Sequence, residues 1–233
     1  MSGMTEESVV NDDTVTVDES TASGVWSALL AGNRRFQKRT DASENATAEN
    51  ETAEHKNTQT RAQDARPKAI VLACADGRVT PDTIFDAQLG ELYTVRTAGN
   101  IAGPDAIASL EFAVDRTDAK LLVVLGHEDC QALKYAAEGV EDIVKSGVPL
   151  DDVDEELESA TNPILKFAGN SVWQARMAGL ERAEDFEQVH IAHTIEALVT
   201  DSDVIRAALA NDRLMIVGAR YVLKTGAVEV LSF

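Results

Sequence analysis

From Pro67 onward, short apolar runs alternate with segments whose apolar residues recur at helical spacing. The apolar runs, each of strand length, cover 69–73, 92–95, 121–125, 214–217 and Ala227–Leu231. The helical patterns cover 80–89, Pro104–Arg116, 130–138, 172–180, 189–198 and 201–210, the last with an acidic cap. The uninterrupted apolar character of 121–125 predicts a strand that is buried on both faces. This alternation predicts an α/β domain with a mainly parallel central sheet flanked by helices.

The first third of the chain has a different pattern. Residues 1–23 carry six acidic groups and no Lys or Arg, which predicts a disordered acidic tail. Residues 24–39 place Val25, Trp26, Leu29, Leu30 and Phe36 at helical spacing, and this segment is predicted to be an amphipathic N-terminal arm. Residues 40–66 are polar and predict a linker. The α/β domain is predicted to cover 67–233.

Composition excludes several classes of protein. With 233 residues, 44% of them hydrophobic, the chain can form a sizeable core. No apolar run approaches the roughly 20 residues that span a bilayer, so no membrane partner is expected. The acidic start lacks the basic and apolar regions of a secretory signal, and a cytoplasmic placement is predicted. The net charge of −19 disfavours nucleic acid as a partner.

Candidate ligands for a metal follow two of the predicted strands. Cys74 comes directly after the first strand, and His127 and Cys130 follow the third. Because the carboxyl ends of parallel strands meet at one edge of a sheet, adjacent strands would bring these residues together. Two thiolates and one imidazole can bind zinc tetrahedrally and leave a fourth position open, where bound water becomes acidic. A helix beginning near Cys130 would stabilise its thiolate.

Asp76 and Arg78 are a candidate catalytic pair beside these ligands. They lie two residues apart, so an extended backbone would place them on the same side. An adjacent guanidinium keeps a carboxylate ionised and holds its orientation. Such a carboxylate could accept a hydrogen bond from water in the open position, or it could take that position itself.

The same residues allow other interpretations. The two cysteines could be inert core residues or a disulfide, although a cytosolic setting disfavours the latter. Asp76 and Arg78 could form a purely structural ion pair. His190 and His193 suggest a second metal site, but a packed or solvated pair fits their apolar helical pattern better. The glycine-containing segment 97–103 lacks a dinucleotide fingerprint and indicates a backbone turn that approaches the site.

These motifs, taken in order, resemble those of the β-class carbonic anhydrases. The resemblance rests on Cys-x-Asp-x-Arg at 74–78 and His-x-x-Cys at 127–130. It extends to ALLAGNRRF at 28–36, IFD at 84–86, GEL at 90–92, VRTAGN at 95–100, SLEFAV at 109–114, LGH at 125–127, GARY at 218–221 and TG at 225–226. Roughly residues 25–39 and 66–231 are covered, and the combined order is far more specific than either short motif.

The resemblance implies a function and a set of residues that perform it. Zinc would be held by Cys74, His127 and Cys130, with Asp76 and Arg78 as the catalytic dyad. The reaction would be the reversible hydration of carbon dioxide to bicarbonate. Tyr93, Ala98 and Phe112 align with residues that line the family's small apolar substrate pocket. The family forms homodimers and larger assemblies in which N-terminal helices embrace a neighbouring subunit, and the arm at 24–39 suits that task.

Two departures from the family pattern keep alternatives open. Gly77 stands where the family usually has Ser or Ala, and Gln131 stands where it usually has Gly. They would be compatible with a noncatalytic zinc-binding scaffold, although a structural zinc would not need Asp76 and Arg78. A carbonyl sulfide or carbon disulfide hydrolase on the same fold would use nearly identical zinc chemistry. A thiol redox protein is the weakest alternative, because the two cysteines are far apart in sequence.

Overall fold

The fold is taken from a computed structural model, which describes residues 18–45 and 66–231. Most of the predicted acidic tail at 1–23 and most of the predicted linker at 40–66 lie outside the described residues. Among the described residues, none of the helices has the length and apolar character needed to cross a membrane.

A five-stranded sheet forms the centre of the domain. Its strands are β1 (Ala69–Cys74), β2 (Leu92–Thr97), β3 (Leu121–His127), β4 (Met215–Val222) and β5 (Ala227–Leu231). The spatial order is β2-β1-β3-β4-β5; the first four strands are parallel, and β5 is antiparallel to β4. All five predicted strands are present, and the predicted fold class is confirmed.

Eight α-helices surround this sheet. They are α1 (Ala22–Asn45), α2 (Pro81–Ile84), α3 (Pro104–Arg116), α4 (Gln131–Lys145), α5 (Val153–Ser159), α6 (Asn170–Met177), α7 (Ala183–Asp201) and α8 (Asp203–Ala210) within the described ranges. Successive strand residues alternate between two cores, as the pleat requires. Leu72 and Val124 face α3, α7 and α8, whereas Val71 and Val123 face α1 and α2.

The predicted helix over 80–89 is wrong beyond its first turn. Helix α2 stops at Ile84, and Asp86 has a φ of 49°, which a right-handed helix cannot continue. The Asp86 carboxylate accepts from Arg35 at 2.6 Å and from Arg39 at 2.8 Å. These two ion pairs with α1 stabilise a turn where the local apolar pattern indicated a helix. The predicted acidic cap of α8 is also wrong, since the Ser202 side chain accepts from the Ile205 amide at 3.0 Å.

Helix α1 packs on its own chain. Val25 and Leu29 are buried against the sheet and α2, and Asn33 is only 3% exposed. The Asn33 side chain donates to the Ile84 carbonyl at 3.1 Å and the Gly226 carbonyl at 2.8 Å, and accepts from the Val228 amide at 3.0 Å. The Val25 and Leu29 face of this arm is thus covered by its own chain, and its embrace of a neighbouring subunit stays a prediction.

Candidate metal centre

The carboxyl ends of β1 and β3 bring three potential metal ligands together. Cys74 is the last residue of β1, His127 is the last residue of β3, and Cys130 immediately precedes α4. The two strands are parallel neighbours, with Ala73 opposite Leu125. One sulfur or nitrogen atom from each of the three buried side chains lies within 4.8 Å of the others. The predicted meeting of the two loops is confirmed.

His127 directs its Nε2 into this cluster. Its Nδ1 lies 2.8 Å from the Glu128 carbonyl oxygen. A carbonyl can only accept, so Nδ1 carries a proton, and in the neutral ring Nε2 is the nitrogen whose lone pair is free for a metal. Nε2 is buried and has no hydrogen-bond partner among the described residues. A histidine that donates one ring nitrogen to a backbone carbonyl and leaves the other free is typical of a metal ligand.

The two cysteines are free thiols with a spacing that suits a shared metal. Their Sγ atoms lie 4.0 Å apart, close to the roughly 3.8 Å edge of a tetrahedron with metal–sulfur bonds of about 2.3 Å. The pKa of Cys74 is lowered to about 4, chiefly by the hydrogen bond with Cys130, against the opposing effect of burial. Backbone amides of Asp76 at 3.5 Å and Gly99 at 3.3 Å also donate to the Cys74 sulfur. A set of two sulfurs and one imidazole nitrogen is one that binds zinc.

Asp76 and Arg78 form the paired carboxylate and guanidinium that the sequence predicts. Arg78 donates from Nε to Asp76 Oδ1 at 3.0 Å and from Nη2 to Oδ2 at 2.7 Å. The Arg78 amide adds a further bond to Oδ1 at 2.9 Å. These bonds hold the pKa of Asp76 well below its usual range, so the carboxylate stays ionised at neutral pH. The Asp76 side chain is 15% exposed, whereas Arg78 is more open to solvent.

Arg78 also binds the loop that carries the other two ligands. It donates to the Asp129 carboxylate at 3.1 Å and to the Asp129 carbonyl at 3.2 Å. Asp129 has a φ of 60°, and its amide donates to Glu187 of α7 at 2.9 Å. Glu187 is buried and in turn accepts from Arg220 at 2.7 Å. The sequence motif included Asp129, and Arg220 lies in the GARY segment of the resemblance, but the local pattern assigns neither Arg220 nor Glu187 a role at this site.

Comparison with known proteins agrees with this geometry. A family model described as carbonic anhydrase matches residues 69–228. The carbonic anhydrase of Mycolicibacterium smegmatis is 34% identical over 207 residues, which cover 89% of this chain and 92% of the relative. Carbonic anhydrase 2 of Mycobacterium tuberculosis is 33% identical over 201 residues, covering 86% and 88%. The chain belongs to the carbonic anhydrase family.

Solved structures place the chain within the β-class fold of the carbonic anhydrase family. The β-carbonic anhydrase CcaA superposes with a TM-score of 0.59 at 20% identity, covering 89% of this chain and 92% of that one. The β-carbonic anhydrase CafA of Aspergillus fumigatus gives a TM-score of 0.56 at 22% identity, covering 89% and 90%. The resemblance to the β class is confirmed.

The three residues predicted to line a carbonic anhydrase substrate pocket have different environments in this chain. Tyr93 is half-buried on β2 and packs against the core under α3. Ala98 is exposed at the start of a short 3₁₀ turn after β2, directly before Gly99. Phe112 is 57% exposed on α3. Their role in lining a pocket stays a prediction.

The two positions that depart from the carbonic anhydrase pattern leave the metal ligands undisturbed. A Cβ atom added to Gly77 would meet no other atom within 4 Å, so the usual Ser or Ala would fit there. Gln131 is exposed at the first position of α4 and donates to the Asp129 carbonyl at 3.4 Å. Neither residue removes a donor from the candidate metal centre.

His190 and His193 lie on α7, outside the three-ligand cluster. His190 is 2% exposed and packs inside the protein, as the helical pattern predicts. Its Nε2 lies 2.7 Å from the Gly99 carbonyl, and its Nδ1 lies 2.9 Å from Ser171 Oγ. Within the described residues, Cys74, His127 and Cys130 form the one grouping with metal-ligand geometry, and the histidine pair does not form a second.

Proposed function

We propose that this protein catalyses the reversible hydration of carbon dioxide to bicarbonate and a proton, with zinc held by Cys74, His127 and Cys130. The observation that carries the proposal is the buried cluster of two sulfurs and an unpartnered imidazole nitrogen beside an ionised aspartate. The relatives at 33–34% identity are named carbonic anhydrases. When bound, zinc supplies Lewis acidity, which makes water a nucleophile near neutral pH.

Asp76 is the hydrogen-bond acceptor in this mechanism. Because its carboxylate is ionised, it accepts a hydrogen bond from the attacking water and orients the water's lone pair toward the carbon of carbon dioxide. The water oxygen forms a bond to carbon while one carbon–oxygen π bond breaks, which places its electron pair on an oxygen of bicarbonate, and the one proton released passes to buffer. Asp76 remains a carboxylate throughout.

Arg78 holds Asp76 in the orientation that this role requires. Two parallel bonds from one guanidinium to both carboxylate oxygens prevent rotation of the carboxylate, and a single charge could not do this. Arg78 also contacts Asp129, so the loop after β1 and the loop after β3 keep a fixed separation. This coupling supports the assignment of Asp76 and Arg78 as a catalytic dyad.

The substrate pocket and the assembly belong to the same proposal. Tyr93, Ala98 and Phe112 would line a small apolar pocket for carbon dioxide. We propose a homodimer or larger homo-oligomer, because large apolar side chains such as Phe112, Leu89 and Met177 are more than half exposed in the single chain. A structural neighbour from Sordaria macrospora, with a TM-score of 0.52 at 18% identity, is described as tetrameric. Cytoplasmic placement remains a prediction from the sequence.

Stopped-flow measurement of carbon dioxide hydration, on protein of known zinc content, tests the proposal. Rapid turnover with one zinc per chain, across about pH 6.5 to 9, is the expected result. Full zinc content without turnover at any pH would overturn it, and assays with carbonyl sulfide and carbon disulfide would then examine the alternative hydrolase. Turnover by zinc-free protein would exclude the role given to the metal.

Replacing each ligand in turn tests whether these three side chains hold the metal. Cys74→Ser, His127→Ala and Cys130→Ser should each lose zinc and activity together. His193→Ala is the matched control for His127→Ala, because His193 is a half-buried histidine outside the cluster. The control should retain zinc. Zinc retention by all three ligand variants would contradict the proposed metal centre.

A further inference from the structure

The turn after β2 places a glycine between the candidate metal ligand Cys74 and helix α7. Gly99 has a φ of 69°, in the left-handed region that favours glycine. Its amide donates to Cys74 Sγ at 3.3 Å. A Cβ atom at this position would lie 3.0 Å from the Ala132 side chain, a tight contact that adds to the strain of the positive φ for any other residue.

The carbonyl of the same glycine is bound by a buried histidine. His190 Nε2 lies 2.7 Å from the Gly99 oxygen, and because a carbonyl only accepts, Nε2 carries the proton. Burial lowers the pKa of His190 to about 4, so the ring is neutral and Nδ1 is an acceptor. Ser171 Oγ, 2.9 Å from Nδ1, therefore donates to the ring. Both ring nitrogens have defined partners, and the ring orientation is fixed.

We propose that His190 is a positioning residue of the metal centre, which acts through Gly99 to keep the Gly99 amide directed at Cys74 Sγ. Glycine has the widest range of backbone angles, so its amide direction depends on restraints at both of its peptide groups. One restraint is the sulfur itself, and the other is the His190 hydrogen bond to the carbonyl. When an amide donates a hydrogen bond to a thiolate, it lowers the energy of the sulfur lone pairs and so adjusts the strength of the sulfur as a metal ligand. The inference rests on the proposed metal site.

The test compares His190→Phe with His190→Gln. Phenylalanine keeps the ring volume and removes both hydrogen bonds, whereas the Gln amide can donate from nearly the position of Nε2. Zinc affinity, measured by competition with a chelator, should fall about 10- to 100-fold in the Phe variant and be largely restored in the Gln variant. In the cobalt-substituted proteins, the sulfur-to-cobalt charge-transfer band should move to longer wavelength in the Phe variant only, because the thiolate loses a hydrogen bond.

A control variant distinguishes positioning of the ligand from general packing. His193→Ala removes the other histidine near Ser171, whose Nδ1 lies 3.2 Å from the same Oγ, and leaves the bond between His190 and Gly99 in place. It should leave zinc affinity and the cobalt band unchanged. A folded His190→Phe protein with unaltered zinc affinity and an unaltered band would overturn the proposal.

A measurement on the unmutated protein decides the question if the Phe variant does not fold. In protein loaded with NMR-active cadmium, the Gly99 amide proton should show scalar coupling to the metal through Cys74 Sγ. The His190 imidazole should show a proton on Nε2 at neutral pH. Absence of either signal would overturn the proposal. These readouts do not depend on carbon dioxide turnover, so an inactive protein that binds metal would refute the proposed activity and leave this inference standing.

Discussion

Arg78 donates from Nη1 to the carboxylate of Asp129 at 3.1 Å, which joins the loop after β1 to the loop after β3. Each of these loops carries part of the candidate metal centre. Asp129 lies between His127 and Cys130, and Arg78 lies four residues after Cys74. The guanidinium that orients Asp76 is therefore itself oriented by the segment that holds two of the three ligands.

Removing the Asp129 carboxylate should weaken this connection between the loops. In Asp129→Ala, Arg78 keeps its contact with the backbone carbonyl and loses one charge-assisted bond, so kcat/KM should fall about tenfold while zinc is retained. Lys134→Ala is the control, since Lys134 pairs with the same carboxylate but does not contact Asp76 in the structure. Equal losses in the two variants, measured by stopped flow, would show that the bond between Arg78 and Asp129 has no specific role, because Lys134→Ala leaves that bond in place.

Asp76→Asn tests the acceptor role directly. The amide has the shape of the carboxylate but cannot remain an anionic acceptor, so kcat should fall about 10²- to 10⁴-fold with one zinc still bound per chain. Since the pKa of Asp76 is already held well below its usual range, its own titration should not appear in the neutral pH profile. Asp105→Asn, at an exposed position in α3, is the control. A fully active Asp76→Asn protein would exclude the assigned role.

The sheet and the three ligands could be predicted from the sequence because both depend on local patterns. Uninterrupted apolar runs identified the strands, and parallel pairing of neighbouring strands brought Cys74 and His127 to one edge. The extent of α2 could not be predicted in this way. The turn at Asp86 is stabilised by Arg35, 51 residues earlier in the chain, and no local pattern reports such a partner.

The residues around the ligands were also hard to predict, because their partners lie far away in the sequence. Glu187 binds the Asp129 amide from 58 residues away, and His190 binds the Gly99 carbonyl from 91 residues away. Both lie on α7, where the helical pattern indicates a core helix and gives no sign of a polar contact. The packed state of His190 could be predicted, but its connection to the Cys74 sulfur required the fold.

Asn33→Ala should destabilise the docking of α1. The substitution leaves the Ile84 and Gly226 carbonyls and the Val228 amide without their partner inside the protein. We expect a loss of about 1–3 kcal/mol in the free energy of unfolding, measured by urea denaturation. Arg34→Ala alters the adjacent exposed position and should change stability by less than about 0.5 kcal/mol. Similar effects of the two substitutions would indicate that α1 docks through apolar contacts alone.

Arg220→Met should be strongly destabilising because it leaves Glu187 buried without its cation. The expected loss is about 3–5 kcal/mol, and the double variant Glu187→Gln/Arg220→Met should recover much of it. Burial raises the pKa of Glu187, and Arg220 opposes that effect. Without Arg220 the folded-state pKa rises further above the unfolded value, so the single variant should lose stability as pH increases. Denaturation at several pH values measures this. If Arg220→Met lost the same free energy of unfolding at every pH, relative to the unmutated protein, the expectation would be contradicted.

The neutral state of His190 predicts how stability changes at acidic pH. Burial lowers its pKa from 6.5 to about 4, so between these values the unfolded chain binds a proton that the folded protein does not. Stability contributed by this difference is present above pH 6.5 and is lost as pH falls. Between pH 7.5 and pH 5, unmutated protein should lose about 2 kcal/mol more in the free energy of unfolding than His190→Gln, which has no titrating ring.

Urea denaturation of the two zinc-loaded proteins measures the difference, with His193→Gln as a second histidine variant that retains the His190 ring. Parallel pH profiles for the unmutated and His190→Gln proteins would show that the pKa of His190 is not lowered by folding, which would contradict the effect of burial on this ring.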